Sequence, residues 1–232
     1  MLQSVLHKEL KFFTSTNYML TTNIPRKDQQ VISYLALRKL IGLTGVLLPL
    51  LLPVGCLIYG ESISIQDSIS DYYYTETRNI LVGVLFVLGF FLLAYRGYEP
   101  IDSRFANFGF VFALGVALFP CQSEIIAVRV VHFVSAGLLF SVFIWFSLML
   151  FTKTVTETNP TKAEKERNTL YVICGWVMIA CLACIGLSFL LLNEEQRNDY
   201  NTTFWFESIA LWAFGYSWLT KGKFMWKDEP AT

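Results

Sequence analysis

The chain reads as all-α, a polytopic integral membrane bundle of six transmembrane helices with both termini cytoplasmic. Three observations predict this. First, charge is scarce: 54% of the 232 residues are hydrophobic and 16% are charged, against about 45–50% and about 25% in a soluble domain. Second, the charges are clumped and leave six long charge-free runs. Third, Lys and Arg fall almost wholly on one side of the threading that those runs imply. The formal net charge is +0, so no basic excess points to nucleic acid, and none is expected as a partner.

No Asp, Glu, Lys or Arg lies between Lys39 and Glu61, Arg78 and Arg96, Arg104 and Glu124, Arg129 and Lys153, Arg167 and Glu194, or Glu207 and Lys221. Crossing the hydrocarbon core takes about 20 mostly apolar residues. The runs therefore predict spans at about 40–59, 79–95, 105–120, 130–151, 169–192 and 204–220. Helices of a soluble protein would carry a charged outer stripe at period 3.6, whereas these runs are apolar all round.

Residues 1–39 read as a cytoplasmic N-terminal arm, 40–220 as the transmembrane domain and 221–232 as a cytoplasmic tail. In the arm, Leu2, Val5, Leu6, Leu10 and Phe13 share one helical face, a pattern suited to a helix lying on the membrane surface. Met1–Leu20 contains His7, Lys8, Glu9 and Lys11 and no uninterrupted apolar core, so the first span is expected to insert without cleavage. Pro49 and Pro53 predict a kink in that span. Gly109, Ala113 and Ala117 in span three, and Gly137 and Ser141 in span four, are small residues four apart, steps on which a neighbouring helix can approach closely.

With the N-terminus inside, 15 Lys and Arg residues face the cytoplasm and three, Arg78, Arg129 and Arg197, face outward. Basic residues concentrate on the cytoplasmic side, and an odd number of spans would break the pattern. Tyr59, Tyr72, Tyr73, Tyr74, Phe204 and Trp205 then mark the outer boundary, and Tyr95, Tyr98, Trp218 and Trp226 the inner one, as interfacial belts. The expected location is the cell membrane, inner or plasma.

This threading gathers the unusual polar residues on one side. Asp67, Ser68, Ser70, Asp71 and Arg78 precede span two; Gln122, Glu124, Arg129 and His132 precede or open span four; Asn201 and Glu207 stand at span six. A carboxylate at mid-bilayer costs about 2.5–3.5 kcal/mol, and each Leu returns only about 0.3–0.6. Glu207 is therefore expected in the first turn of its span or facing the bundle interior. His132 shares its face with Ser135 and Ala136 and should point inward. The candidate ligand-binding residues are Ser68, Ser70, Asp71, Arg78, Arg129, His132 and Glu207. In this reading Arg78, Arg129 and His132 meet a phosphate or carboxylate headgroup, and Asp71 and Glu207 orient them. Ser68-Ile-Ser-Asp71 reads equally as a capping turn, and His132 as an interfacial histidine holding a loop. No zinc-ligand spacing, Gly-rich phosphate loop or G-x-S-x-G elbow occurs, so no metal or cofactor is expected. Cys181 and Cys184 lie within one span and read as small packing residues. A bridge between Cys56 and Cys121 stays open.

The Ser68–Asp71 loop, Arg78 at the mouth of span two and His132 opening span four resemble the DRAM/Sfk-type six-helix membrane families and their uncharacterised bacterial relatives. The likeness covers about Arg38–Thr220. It implies six spans with cytoplasmic ends and roles tied to membrane lipids: lipid-anchor remodelling, lipid asymmetry and autophagy modulation. The Tyr72-Tyr73-Tyr74 run departs from the family pattern.

The leading expectation is thus a lipid-handling or lipid-sensing protein with a polar pocket at the outer leaflet and membrane lipids as its partners. A hydrolase or acyl transferase is the alternative, and it needs His132 within about 3 Å of Asp71 or Ser70, directly or through one water. A transporter or channel usually buries ionisable residues deep in its spans, and these runs hold almost none. An accessory subunit, or a homo-oligomer packing through its helices, stays open.

Overall fold

The computed structural model describes residues 33–60, 65–97, 99–153 and 161–223. All of these except Ser33 belong to one compact unit, Tyr34–Thr232. Among the described residues every regular element is helical. The helices are α1 Tyr34–Ile58, α2 Arg78–Ala94, α3 Pro100–Leu118, α4 Ile126–Trp145, α5 Lys162–Leu191, the short α6 Glu194–Asp199, and α7 Thr202–Lys221. A 3₁₀ turn, Ser70–Tyr74, sits between α1 and α2, and α4 runs on through a wider π-type turn, Phe146–Leu150.

Four helical stretches, Tyr34–Ile58, Pro100–Leu118, Ile126–Leu150 and Lys162–Leu191, are long and apolar enough to cross a membrane. The apolar α2 has 17 residues, about 25 Å at 1.5 Å per residue, somewhat short of the roughly 30 Å hydrocarbon core. Outward positions are apolar: Leu47, Val54, Phe108, Val111, Phe133, Val134, Trp176 and Phe189 are all exposed. A water-facing helix would carry charge there, so this surface suits lipid.

α1, α3, α4, α5 and α7 all begin earlier than the spans expected from the charge-free runs, and the N-terminal extension is longest in α1 and α5. α1 starts at Tyr34 and takes in Arg38 and Lys39, moving the expected boundary at residue 39. α5 starts at Lys162, capped by Thr161, whose hydroxyl accepts the Glu164 N–H at 3.2 Å while the Glu164 carboxylate accepts the Thr161 N–H at 2.8 Å. α1 remains one helix through Pro49 and Pro53. Most of the arm, including its apolar face, and the tail beyond residue 223 lie outside the described residues.

The long helices form a ring. Each packs on its neighbour in the sequence, and α7 closes the ring against both α5 and α1. Small residues make the closure: a Cβ on Gly215 would stand 2.6 Å from the Gly42 carbonyl oxygen, and one on Gly42 would stand 2.8 Å from that of Gly215. The Gly109–Ala113–Ala117 ladder is buried, Gly109 lying against Leu92 and Val142. The second expected ladder does not pack this way. A Cβ on Gly137 would meet no atom within 4 Å, and the Ser141 hydroxyl donates to the Gly137 carbonyl of its own helix.

At the end away from the 3₁₀ turn the ring is filled by aromatics around Trp218, whose ring lies 5.1 Å from Tyr95, 5.2 Å from Phe146 and 5.0 Å from Phe151. Tyr95 and Trp218 are fully buried. They are core residues and not the interfacial belt expected of them, because the helices turn these faces toward the axis. Tyr72 departs in the same way, being fully buried, while Tyr74, Tyr59 and Trp205 are exposed. At this same end Asp102 is buried, accepts the Glu99 N–H at 3.0 Å and pairs with Lys153 at 3.4 Å. Asp102→Ala is expected to cost about 1–3 kcal/mol through the lost cap and charged contact, read as a lower unfolding midpoint. Lys153→Ala should cost less, because that side chain is partly in solvent.

Candidate functional site

The connection between α1 and α2 dips into the opposite mouth of the ring and is held there from several sides. Within it, Ser68 and Asp71 close a reciprocal turn: the Ser68 hydroxyl donates to the Asp71 carboxylate at 2.8 Å and accepts the Asp71 N–H at 3.2 Å. From α7, the Glu207 carboxylate accepts the Ile69 N–H at 2.7 Å, and the Phe204 N–H donates to the Asp67 carbonyl at 2.9 Å. From the α3–α4 connection, the Gln122 amide donates to Asp71 at 2.7 Å, and the Gln122 N–H donates to the Tyr74 hydroxyl at 2.9 Å. Tyr72 anchors the plug from below against Phe204, ring centres 6.0 Å apart.

This arrangement places Ser70 Oγ 3.0 Å from Nε2 of His132. The other ring nitrogen, Nδ1, lies 2.6 Å from the carbonyl oxygen of Phe119. A carbonyl only accepts, so Nδ1 carries the hydrogen and Nε2 of the neutral ring presents its lone pair. The Ser70 hydroxyl therefore donates to Nε2. His132 is oriented by a backbone carbonyl and not by Asp71, the partner expected from sequence; Asp71 is occupied by Ser68, Gln122 and the Cys121 thiol, at 3.4 Å. Burial, and after it the Asp71 charge, pushes the Cys121 thiol up to about 12, so it stays protonated and donates. Cys56 and Cys121 are both free thiols; Cys56 contacts the Thr77 hydroxyl at 3.5 Å, so the bridge left open does not form.

Beside this pair lies a cavity of about 600 Å³. Its polar end is lined by Asp67, Ser68, Ser70, Asp71, Gln122, His132, Glu194, Arg197 and Glu207, and its walls by Phe133, Ala136, Gly137 and Phe140 of α4 and Leu182, Ile185 and Phe189 of α5. The two helices meet at their far ends, where Ser147 donates to the Tyr171 carbonyl at 3.0 Å and Leu148 fills the space beside Gly175. Toward the plug the cavity separates them, which makes it a cleft in the side of the ring. A second space of about 50 Å³ inside the ring shares Ser70, Ala136, Phe140 and Glu207 with it.

Of the expected site residues, Ser68, Ser70, Asp71, His132 and Glu207 come together. Arg78 and Arg129 do not line the cavity. Arg78 bonds the Tyr73 hydroxyl and lies over its ring, 4.0 Å from the centroid, while Arg129 is exposed on the first turn of α4. Arg197 takes the place of a cation at the rim. It donates to the Leu192 carbonyl at 3.0 Å and lies over Phe189. Arg197, Glu194 and Asn198 are hard to single out from sequence because they sit on α6, in a stretch that reads as a polar loop. Its signal is the capping box Asn193–Gln196, in which the Asn193 side chain accepts the Gln196 N–H at 2.8 Å. Burial, then the charges of Asp71 and Glu194, raises the pKa of Asp67 above its ordinary value of 3.8. Among the described residues no group of three or more His, Cys, Asp and Glu side chains is placed to hold a metal ion.

No protein-family model, curated protein or solved structure matches the chain.

Proposed function

We propose that this is a multi-pass protein of the cell membrane, with six crossings and both termini cytoplasmic, that takes an amphiphilic lipid from the outer leaflet into the cleft between α4 and α5. The distribution of Lys and Arg, 15 against three, supports the crossing number and direction. It requires α2 and α7 to cross beside the four longer or more apolar stretches. The resemblance to DRAM/Sfk-type families adds its expectation of a lipid role.

The observation that carries the reading is the cleft: polar at the plug, apolar along both helices, and open in the side of a surface suited to lipid. Its volume lies within the range of ligand pockets, about 300–1,000 Å³. Its charge selects the headgroup. Among the described residues, the carboxyl groups of Asp67, Asp71, Glu194 and Glu207 line it against the single guanidinium of Arg197. Such a lining repels an anion and matches a cation or a group rich in hydrogen-bond donors. Asp71 and Glu207 are engaged with the plug, whereas among the described residues the side chains of Asp67 and Glu194 make no hydrogen bond or ion pair. We therefore replace the phosphate or carboxylate headgroup expected from sequence by one bearing an ammonium or hydroxyl donors.

Native mass spectrometry and lipid analysis of the purified protein test this. The expected result is a co-purified lipid with an amine or polyol headgroup, falling at least about tenfold, or ~1.4 kcal/mol, in Asp67→Asn/Glu194→Gln. Equal retention of an anionic lipid by both forms would reject the reading. pH supplies a second check. As pH falls through the raised titration range of Asp67, its charge is lost, so an ammonium-bearing ligand should bind more weakly toward acid. Stability moves the other way. A carboxyl whose folded pKa is raised favours the folded state most below its unfolded value of 3.8, and that contribution is lost as pH rises through the folded value.

A further inference from the structure

We infer that Ser70 is a nucleophile activated by His132, and that the cleft carries out acyl transfer from an ester-bearing amphiphile. This rests on the lipid-binding reading and names the chemistry of the same site.

The geometry that carries it has three parts. Ser70 Oγ and His132 Nε2 stand 3.0 Å apart, within reach for direct proton transfer. The Phe119 carbonyl at Nδ1 fixes the tautomer that leaves Nε2 basic, the role a carboxylate plays in a serine–histidine–acid triad. The tautomer that this carbonyl imposes is the one general-base action needs. Finally, both side chains line the cavity at the change from acidic rim to apolar wall. His132 is followed down α4 by Phe133, Ala136, Gly137 and Phe140. An amphiphile with its headgroup at the acids and its chain along these residues puts its linkage at the dyad, where an acyl ester has its carbonyl.

The step balances without a cofactor. Ser70 Oγ bonds to the carbonyl carbon as its proton passes to Nε2 of His132. The tetrahedral adduct then expels the alkoxy oxygen, which takes that proton from His132 and leaves as an alcohol. The acyl group stays on Ser70 as an ester. Water, or a second alcohol or amine, gives its proton to His132 and attacks the same carbon. The adduct then expels Ser70 Oγ, which takes that proton back from Nε2 of His132, and the acyl group leaves as an acid, ester or amide. During both steps the imidazolium keeps its Nδ1–H on Phe119. Ser68 has a different job: its exchange of hydrogen bonds with Asp71 shapes the turn that presents Ser70.

The test uses the full chain in detergent or nanodiscs. A long-chain alkyl fluorophosphonate should form one adduct, located on Ser70 by peptide mass spectrometry, with fluoride as the leaving group. Ser70→Ala should abolish the adduct, and His132→Gln should slow it at least about a hundredfold and flatten its pH–rate profile. Ser70→Cys, close in size, should lose the fluorophosphonate adduct and react with a long-chain iodoacetamide at position 70. In parallel, a photo-crosslinking lipid with an amine headgroup is offered to the wild-type protein and its attachment mapped. Crosslinking to α4 or α5 with no adduct on Ser70 would overturn the catalytic inference and leave the binding reading standing. Failure of both arms would remove both. An adduct on Ser70 unaffected by His132→Gln would reject the dyad.

Discussion

Gly215→Val is expected to open the ring and give the largest loss of stability of any single change outside the site. A Cβ at 215 would lie 2.6 Å from the Gly42 carbonyl oxygen, 2.6 Å from the Val46 Cγ2 and 2.9 Å from the Val46 nitrogen. Two of these atoms are backbone, so relief requires α1 and α7 to separate. Overpacking costs about 1–3 kcal/mol where side chains can yield, and more is expected where backbone must move. The seam has no easy substitute. Lipid tails are as apolar as the helix faces, so association in a bilayer depends on close packing and hydrogen bonds between helices. Here the packing is Gly42 on Gly215, Gly45 beside Phe214, and the Trp212 indole donating to the Val46 carbonyl at 3.2 Å. Thiol reactivity reads the outcome. Cys56, Cys121, Cys174 and Cys181 are buried, and a maleimide dye should report them at a lower temperature in Gly215→Val. Gly83→Ala is the control: its Cβ would meet nothing within 4 Å, and replacing a helical glycine gains about 0.5–1 kcal/mol. Equal midpoints for the two variants would refute the seam.

The helices are legible in the sequence because the hydrocarbon core imposes a minimum apolar length, and charge-free runs show it directly. Their order around the ring is not. A run that is apolar all round has no stripe to say which side faces a neighbour, so neither the α1–α7 closure nor the buried state of Tyr95 and Trp218 can be read from pattern. The site is legible in part for the same reason. One-sided gathering places Ser70, Asp71, His132 and Glu207 at one end of the bundle, and they do converge. That criterion sees depth and not direction, so it admits Arg78 and Arg129, which point elsewhere. The orienting group of His132 has no side-chain signature, because it is a main-chain carbonyl. Its sequence signal is Phe119-Pro120. The residue before a proline is pushed out of helical geometry, and Phe119 is extended at φ −107°, ψ 112°, so its carbonyl leaves the helix ladder and is free for His132.

Gly137→Trp should empty the cleft and leave the bundle intact. Gly137 lines the cavity between the apolar wall residues of α4, and a Cβ placed there meets no atom within 4 Å, so the new side chain leaves the helix without a clash at its root. An indole covers about 150–250 Å² of surface when buried, and here it would lie across the gap to Leu182 and Ile185 of α5. A lipid chain seated in that gap loses its wall contacts, so bound lipid should fall at least about tenfold, or ~1.4 kcal/mol. The unfolding midpoint should hold or rise, since the indole covers apolar surface that is otherwise open. Gly83→Trp separates this from a general effect of an added aromatic, because Gly83 is equally free of neighbours but lies on α2, outside the cleft. The same pair of variants divides the two ways in which an acidic pocket can hold a donor-rich ligand. If the headgroup alone supplied the affinity, a small amine without a chain would bind wild type and Gly137→Trp alike, and the lipid would be lost from neither. Loss of lipid from Gly137→Trp with retention in Gly83→Trp places the chain between α4 and α5, which is the arrangement that brings an ester to Ser70.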